Sequence, residues 1–336
     1  MTGRTAIATI ATIAPIAPGA LVLAMGVAVS AGMPAPVSPA ARTFERHHYT
    51  ISARVRPLLL FWISRSGVGD AVMTRRRAPG EAAYSLLIGS DPDRAPRRIN
   101  RWGYIDEEIR GAEATLVGLM TESDEDSIEQ AEANIRNQAH GDRTYKIIRA
   151  TVDGDQSRSI VTSIAAPADY SFRQVRAVLE LAQREAPEDV EGASGGANKP
   201  RIIHLPAGTR PGFLAALAEL MHGHVDQWRG SGRVQPGRPI TYVYHGRIYE
   251  LRTTHAEPLA SVRVGGVSYR HVIAAAFETR STHDGELTRF SMTYGADGQW
   301  AEVPLAVSYQ PRWWMEIELA LDDLTSGPEP AEGAKP

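Results

Sequence analysis

Apolar residues recur at every second position through long parts of the chain. In the run from Trp313 to Leu321, the residues Trp313, Met315, Ile317, Leu319 and Leu321 fall on one face, and Glu316 and Glu318 fall on the other. This is the two-residue repeat of a pleated strand with one wet face. Tyr49, Ile51, Ala53 and Val55 repeat it, as do Ile240, Tyr242 and Tyr244, and then Tyr269, His271, Ile273, Ala275 and Phe277. Turn signals separate such runs: Asp153-Gly154, His245-Gly246, Gly265-Gly266, Asp284-Gly285 and Asp297-Gly298. The succession predicts a mainly β protein. Its fold class is an antiparallel curved sheet or open β-barrel with two to three packed helices.

Helical spacing appears in three places. Ser127-Ile128-Glu129-Gln130 and Ser171-Phe172-Arg173-Gln174 are capping boxes, the second followed by Val175, Val178, Leu179 and Ala182 on one face. The third helix starts after Thr209 and Pro211. Phe213, Leu214, Leu217, Leu220 and Met221 form its stripe, and Gly223 is its expected stop. Leu58 to Ile63 fits neither period: it has six apolar residues in succession and no wet face. A strand of that kind is covered on both sides or lines an apolar cavity. The stripe of the third helix is suited to cover it. Leu58, Leu60, Trp62, Phe213, Leu217 and Trp313 are therefore the candidate ligand-binding residues.

The ends of the chain have other compositions. Arg4 is the only charge before Arg42, and an apolar stretch leads to small residues at Val29-Ser30-Ala31. This predicts a signal peptide over 1–31, a periplasmic or secreted protein, and a flexible start over 32–44. One β-rich domain is expected over 45–322 with a loop at 187–200. A Pro/Glu/Ala/Gly tail at 323–336 reads as disordered. The 336 residues include no cysteine, which excludes disulfides, thiolate metal sites and cysteine nucleophiles. The net charge of −3 gives no reason to expect nucleic acid as a partner. Arg94, Arg97, Arg98 and Arg101 form a basic cluster, but Asp106, Glu107 and Glu108 follow it closely, so the segment reads as a solvated, locally balanced loop.

Two motifs bear on chemistry. Gly192-Ala193-Ser194-Gly195-Gly196 has the spacing of a hydrolase nucleophile elbow. It lies in a polar linker without the preceding strand that such an elbow needs. The run His222-Gly223-His224-Val225-Asp226-Gln227 resembles the metal-binding run of metallo-β-lactamase-type hydrolases. That resemblance implies His222 and His224 on one zinc and Asp226 on a second, with Gln227 standing where that family has a histidine. The residues before it look helical, and positions i and i+2 of a helix do not share a face.

The C-terminal pattern also carries a family resemblance. It rests on Tyr242-Val243-Tyr244 before a glycine turn, Gly298 followed by Val303-Pro304-Leu305, and the closing Met315-Glu316-Ile317-Glu318-Leu319. The chain resembles a group of exported bacterial proteins of unknown function, similar in fold to the Lol-type lipoprotein carriers with their half-open barrel, the β-clam. The resemblance implies a concave sheet with an apolar inner face, and it brings no catalytic set. The leading expectation is an exported, non-enzymatic binding or carrier protein for a lipid-like ligand in the cell envelope, with an envelope protein as a further partner. The alternative is a metal-dependent hydrolase centred on residues 222–226, with zinc as cofactor.

Overall fold

The computed structural model describes residues 43–56, 62–91, 93–95, 102–120, 142–167, 200–312 and 314–322. Fifteen strands belong to one sheet. The first group is β1 (Thr43–Val55), β2 (Ile63–Ala78), β3 (Glu81–Ser90), β4 (Trp102–Arg110), β5 (Glu113–Met120), β6 (Asp142–Asp153), β7 (Gln156–Pro167) and β8 (Arg201–His204). The second is β9 (Arg210–Pro211), β10 (Ile240–Tyr244), β11 (Arg247–Val264), β12 (Val267–Ser281), β13 (Leu287–Gly295), β14 (Pro304–Arg312) and β15 (Met315–Leu321). Between β9 and β10 runs α1 (Phe213–Ser231), the one α-helix among the described residues.

The spatial order is β8-β7-β6-β5-β4-β3-β2-β1-β15-β14-β13-β12-β11-β10-β9. The chain lays one meander outward from β1 to β8. It then crosses to the far edge and lays a second meander inward from β9 to β15. The two join where β15 pairs antiparallel with β1, from Tyr49 opposite Leu321 to Val55 opposite Met315. Every pairing is antiparallel except that of β9 with β10.

This connectivity forces curvature. Residues 205–209 alone link β8 to β9, and so short a segment spans at most about 20 Å. A flat sheet of fifteen strands would hold its edges roughly 65 Å apart at about 4.8 Å per strand. The sheet therefore curls until its edges approach, and the chain itself bridges the gap. The turn between β10 and β11 packs into the seam. His245 (φ 50) and Gly246 (φ 66) supply the two left-handed residues of a tight hairpin. The His245 ring lies over Gly118 of β5, where a Cβ would overlap it, and Gly246 sits on Ser159 of β7. Around the seam Ala114, Leu116, Ala150 and Val152 of the first meander meet Leu205 and Val243.

Alternation holds in β1. Tyr49, Ile51, Ala53 and Val55 are all buried, in a cluster with Tyr269, Val272, Leu305, Leu319 and Leu321. Below α1 a second cluster joins Leu217, Leu220, Met221 and Val225 to strand residues including Tyr242, Leu251, Ile273 and Phe277. Pro258 lies inside β11 but beyond the reach of β10, which pairs only with Arg247–Leu251. On that side it has no ladder bond to lose.

Several expectations change. α1 does not stop at Gly223 but continues to Ser231 and ends at Gly232 in the left-handed conformation. An interior glycine costs about 1 kcal/mol of helix propensity, and burial of Val225 in the next turn outweighs it. The stretch from Trp300 to Val307, which reads as a strand in the sequence, instead opens in a 3₁₀ turn, Gly298–Trp300, and β14 starts only at Pro304. His271 is not on the apolar face: it takes φ 49 and is exposed. β1 begins at Thr43, inside the segment expected to be a flexible start. The helices expected after Ser127 and Ser171, and the loop at 187–200 except for Pro200, lie outside the described residues.

Leu305 is completely buried at the junction of the two meanders. Leu305→Ala is expected to lower unfolding stability by about 2–5 kcal/mol in a urea titration. Val267→Ala, at an exposed position, should change it by less than about 0.5 kcal/mol.

Candidate functional site

The feature that organises the inner face is the placement of α1. Its N-terminus is preceded by Gly212 at φ 94, which has no side chain to cap the helix. The first turn is capped from across the barrel. Glu107 of β4 is fully buried, and its two carboxyl oxygens accept from the backbone N–H groups of Leu214 and Ala215, each at 2.8 Å. A carboxyl there satisfies orphan donors and faces the positive end of the helix dipole. Gly212 is required at this point, since a Cβ would overlap the carboxyl group. Burial pushes the Glu107 carboxyl up to about 8, against the lowering effect of the backbone donors.

Further along the helix, a second polar contact reaches the first meander. Glu302, with φ 60, lies between the 3₁₀ turn and β14, and its side chain is 8% exposed. One carboxylate oxygen meets Nδ1 of His222 at 2.5 Å, and the other accepts from Arg77 at 2.8 Å and Arg75 at 3.1 Å. Arg75 also forks onto Glu45 of β1. Burial alone would raise the Glu302 carboxyl, but the His222 bond and the two guanidinium groups outweigh it and hold it below the usual carboxylate range. α1 is thus held to β4 by its first turn and to β2 through Glu302.

The histidine run is divided by this geometry. His222 and Asp226 lie on the exposed side of α1, with His222 Nε2 3.3 Å from Asp226 Oδ2. His224 points the other way and is 1% exposed. Its Nδ1 is 2.5 Å from the Tyr294 hydroxyl and its Nε2 is 3.3 Å from that of Thr253. Desolvation lowers His224 to about 4, so the ring is neutral in the fold. The run does not converge on one point: both nitrogens of His224 are engaged in the core, and one face of His222 is taken by Glu302.

The expected ligand-binding residues also fall into two places. Phe213 and Leu217 are in α1. Leu217 is buried, and the Phe213 ring packs against Tyr242 and edge-on to Phe290, with centroids 5.7 and 5.9 Å away. At that point the space between helix and sheet is filled by side chains. Trp62 lies at the start of β2, half-buried, with the Arg54 guanidinium 5.5 Å from its ring centroid. Leu58, Leu60 and Trp313 lie outside the described residues. A groove of about 490 Å³ beside α1 has a polar rim that includes Arg210, Glu219, Gln227 and Arg238. Its chemistry is not that of an apolar pocket.

Glu107 and Glu302 were not singled out by the sequence pattern. For Glu107 a signal existed: Ile105, Glu107 and Ile109 share one face of β4. An acid between two apolar residues on the inward face has to find a partner. Glu302 carried no such signal, because its role depends on a turn that brings it to β2. No protein-family model, curated protein sequence or solved structure matches this chain.

The linkage of Glu107 has a definite sign. Its carboxyl is about 8 in the fold against 4.5 for the ordinary group, so the unfolded chain releases the proton first and stability falls as pH rises from 4.5 to 8. Glu107→Gln should flatten the pH dependence of stability across that window in urea titrations. Glu107→Ala should cost about 1–3 kcal/mol through unsatisfied helix donors. A wild-type profile that rises through this window with the same slope as Glu107→Gln would contradict the assignment.

Proposed function

We propose that this chain is an exported, non-enzymatic binding or carrier protein for an apolar, lipid-like ligand. The supporting observation is the curled, unclosed sheet with an apolar inner face, on which α1, the one α-helix among the described residues, is laid. A curled sheet of this kind suits a guest held against its inward side chains, and α1 covers part of that face. The N-terminal apolar segment supports export, and the C-terminal likeness to the exported β-clam group supports a role in the envelope. An envelope protein is the natural donor or acceptor of such a ligand. Glu107 attaches the first turn of α1 to the first meander, His222 reaches that meander through Glu302, and the contact with the second meander joins an apolar stripe to the His224 bonds with Tyr294 and Thr253. An apolar guest would compete for the surface under the helix and leave its polar attachments as tethers.

The hydrolase alternative receives no support from the separation of His222 and Asp226 from His224. Metal analysis of protein purified without chelator separates the two classes. The carrier reading expects no stoichiometric zinc, and zinc that is lost on His224→Ala would favour the hydrolase.

Native mass spectrometry and solvent extraction of protein purified from an envelope fraction are expected to recover a co-purifying lipid or fatty acid. A fluorescent fatty-acid probe should bind the stripped protein, and Leu217→Trp should weaken its binding at least tenfold. No co-purifying lipid together with no probe binding would remove the carrier reading.

A further inference from the structure

Gly223 stands in the middle of α1, where glycine weakens a helix relative to alanine. Neither packing nor backbone geometry asks for it. Its φ is not in the left-handed region, and an added Cβ would have nothing within 4 Å. Gly237 is similar: its φ is also ordinary, and a Cβ would meet only Leu220 Cδ2, at 3.8 Å. Both glycines line the groove of about 490 Å³ between α1 and the start of β10. A glycine that the fold does not require leaves room for another backbone to come close. The volume of the groove is that of a small-ligand site.

One wall of the groove is an open strand edge. The two-residue turn at His245 and Gly246 makes Tyr244 and Arg247 a pair that exchanges both hydrogen bonds. Counted back by twos, Tyr242 and Ile240 also bond to β11, while Val243 and Thr241 turn their backbone groups the other way. The Val243 carbonyl accordingly accepts from the Gly212 N–H at 3.1 Å. β9 covers that side only level with Tyr242 and Val243. Beside Ile240 and Thr241 no strand runs on that side among the described residues, and both line the groove.

The lining carries three charged side chains, Arg210, Glu219 and Arg238. Arg210 and Glu219 form a two-bond pair, Nε to Oε2 at 2.5 Å and Nη2 to Oε1 at 3.1 Å, and cancel. Arg238 is exposed and has no hydrogen bond or ion pair among the described residues. His224 is also in the lining, with both ring nitrogens engaged by Tyr294 and Thr253. Glu250, opposite Thr241 on β11, is level with Arg280 of β12 and is not in the lining. The groove therefore holds one unmatched positive charge beside an open strand edge and a glycine floor. We propose that it binds the carboxyl-terminal end of an extended peptide. The peptide main chain pairs with the β10 edge at Thr241 and passes over Gly223, and its terminal carboxylate meets Arg238. Phe213 and Leu217 are not in the lining, so the site does not depend on a lipid guest.

The test is an NMR titration of the full chain with a library of tripeptides bearing free carboxyl ends, with the same library amidated, and with acetate. The free-ended library is expected to bind, and amidation to weaken its apparent affinity at least tenfold. Gly223→Leu should weaken binding at least tenfold by filling the groove, and Arg238→Gln at least fivefold. Arg270→Gln, at an exposed position of β12, should leave it unchanged. Far-UV circular dichroism confirms that each variant folds. Gly223→Ala should raise the midpoint of thermal unfolding, because the glycine serves the groove and not the fold. No binding of the free-ended library, equal binding of the amidated one, or undiminished binding to Gly223→Leu overturns the proposal. Acetate bound as tightly as the library reduces the site to a carboxylate contact and also overturns it. So does a lowered midpoint in Gly223→Ala, which would make that glycine a requirement of folding.

Discussion

The pairing of the first strand with the last fixes where every other strand of the sheet lies. Seven residue pairs, Tyr49–Leu321 to Val55–Met315, connect two meanders that are otherwise separate hairpin stacks. Side chains alternate inward along both strands, so the same residues that zip the meanders together also build the central core. The Tyr49 hydroxyl donates to the Pro304 carbonyl at 3.0 Å within that core. Once β15 lies on β1, the outer edges are fixed, and the short link from β8 to β9 requires the sheet to curl. Curvature here follows from connectivity and twist together.

The interior created by that curl is apolar along its floor and polar at the points where α1 is attached. Buried ionisable groups are costly, and three carboxyl groups and one histidine here have an answer in the local geometry. Glu107 is placed on a helix N-terminus, Glu302 between two arginines and a histidine, and Glu278 between Arg252 and Arg289 across three strands. His224 is neutral between two hydroxyls, and its own contribution to stability is lost as pH falls from 6.5 toward 4, where the unfolded chain gains a proton first. These contacts specify where the helix lies more than they add to stability, since replacing a buried pair by apolar side chains is often neutral.

Much of the architecture was legible in the sequence because its determinants are local. Alternation in β1, β12 and β15 and the glycine turns identified strands and hairpins without any knowledge of partners. The stripe of α1 was equally plain. The end of that helix was misread because Gly223 has a local stop signal that packing of Val225 overrides. His271 was misread because its backbone takes a left-handed conformation that breaks the alternation. The candidate residues were legible only in part. Leu217 and Trp62 are apolar in any context, but whether they line a cavity or a surface depends on strand order, which is a non-local property. Glu107 lies more than a hundred residues from the helix turn that it caps, and no window along the chain contains both.

The sheet curls until its two edges face each other around an apolar interior. The chain contains no cysteine, so paired spin labels at Arg158→Cys on β7 and Glu250→Cys on β11 report a single distance by double electron–electron resonance. The two strands are eleven pairings apart along the sheet, roughly 50 Å if it were flat. The curled sheet, with Gly246 seated on Ser159, predicts a single distribution centred below about 30 Å. A distribution centred near the flat-sheet value would show that the edges stay apart.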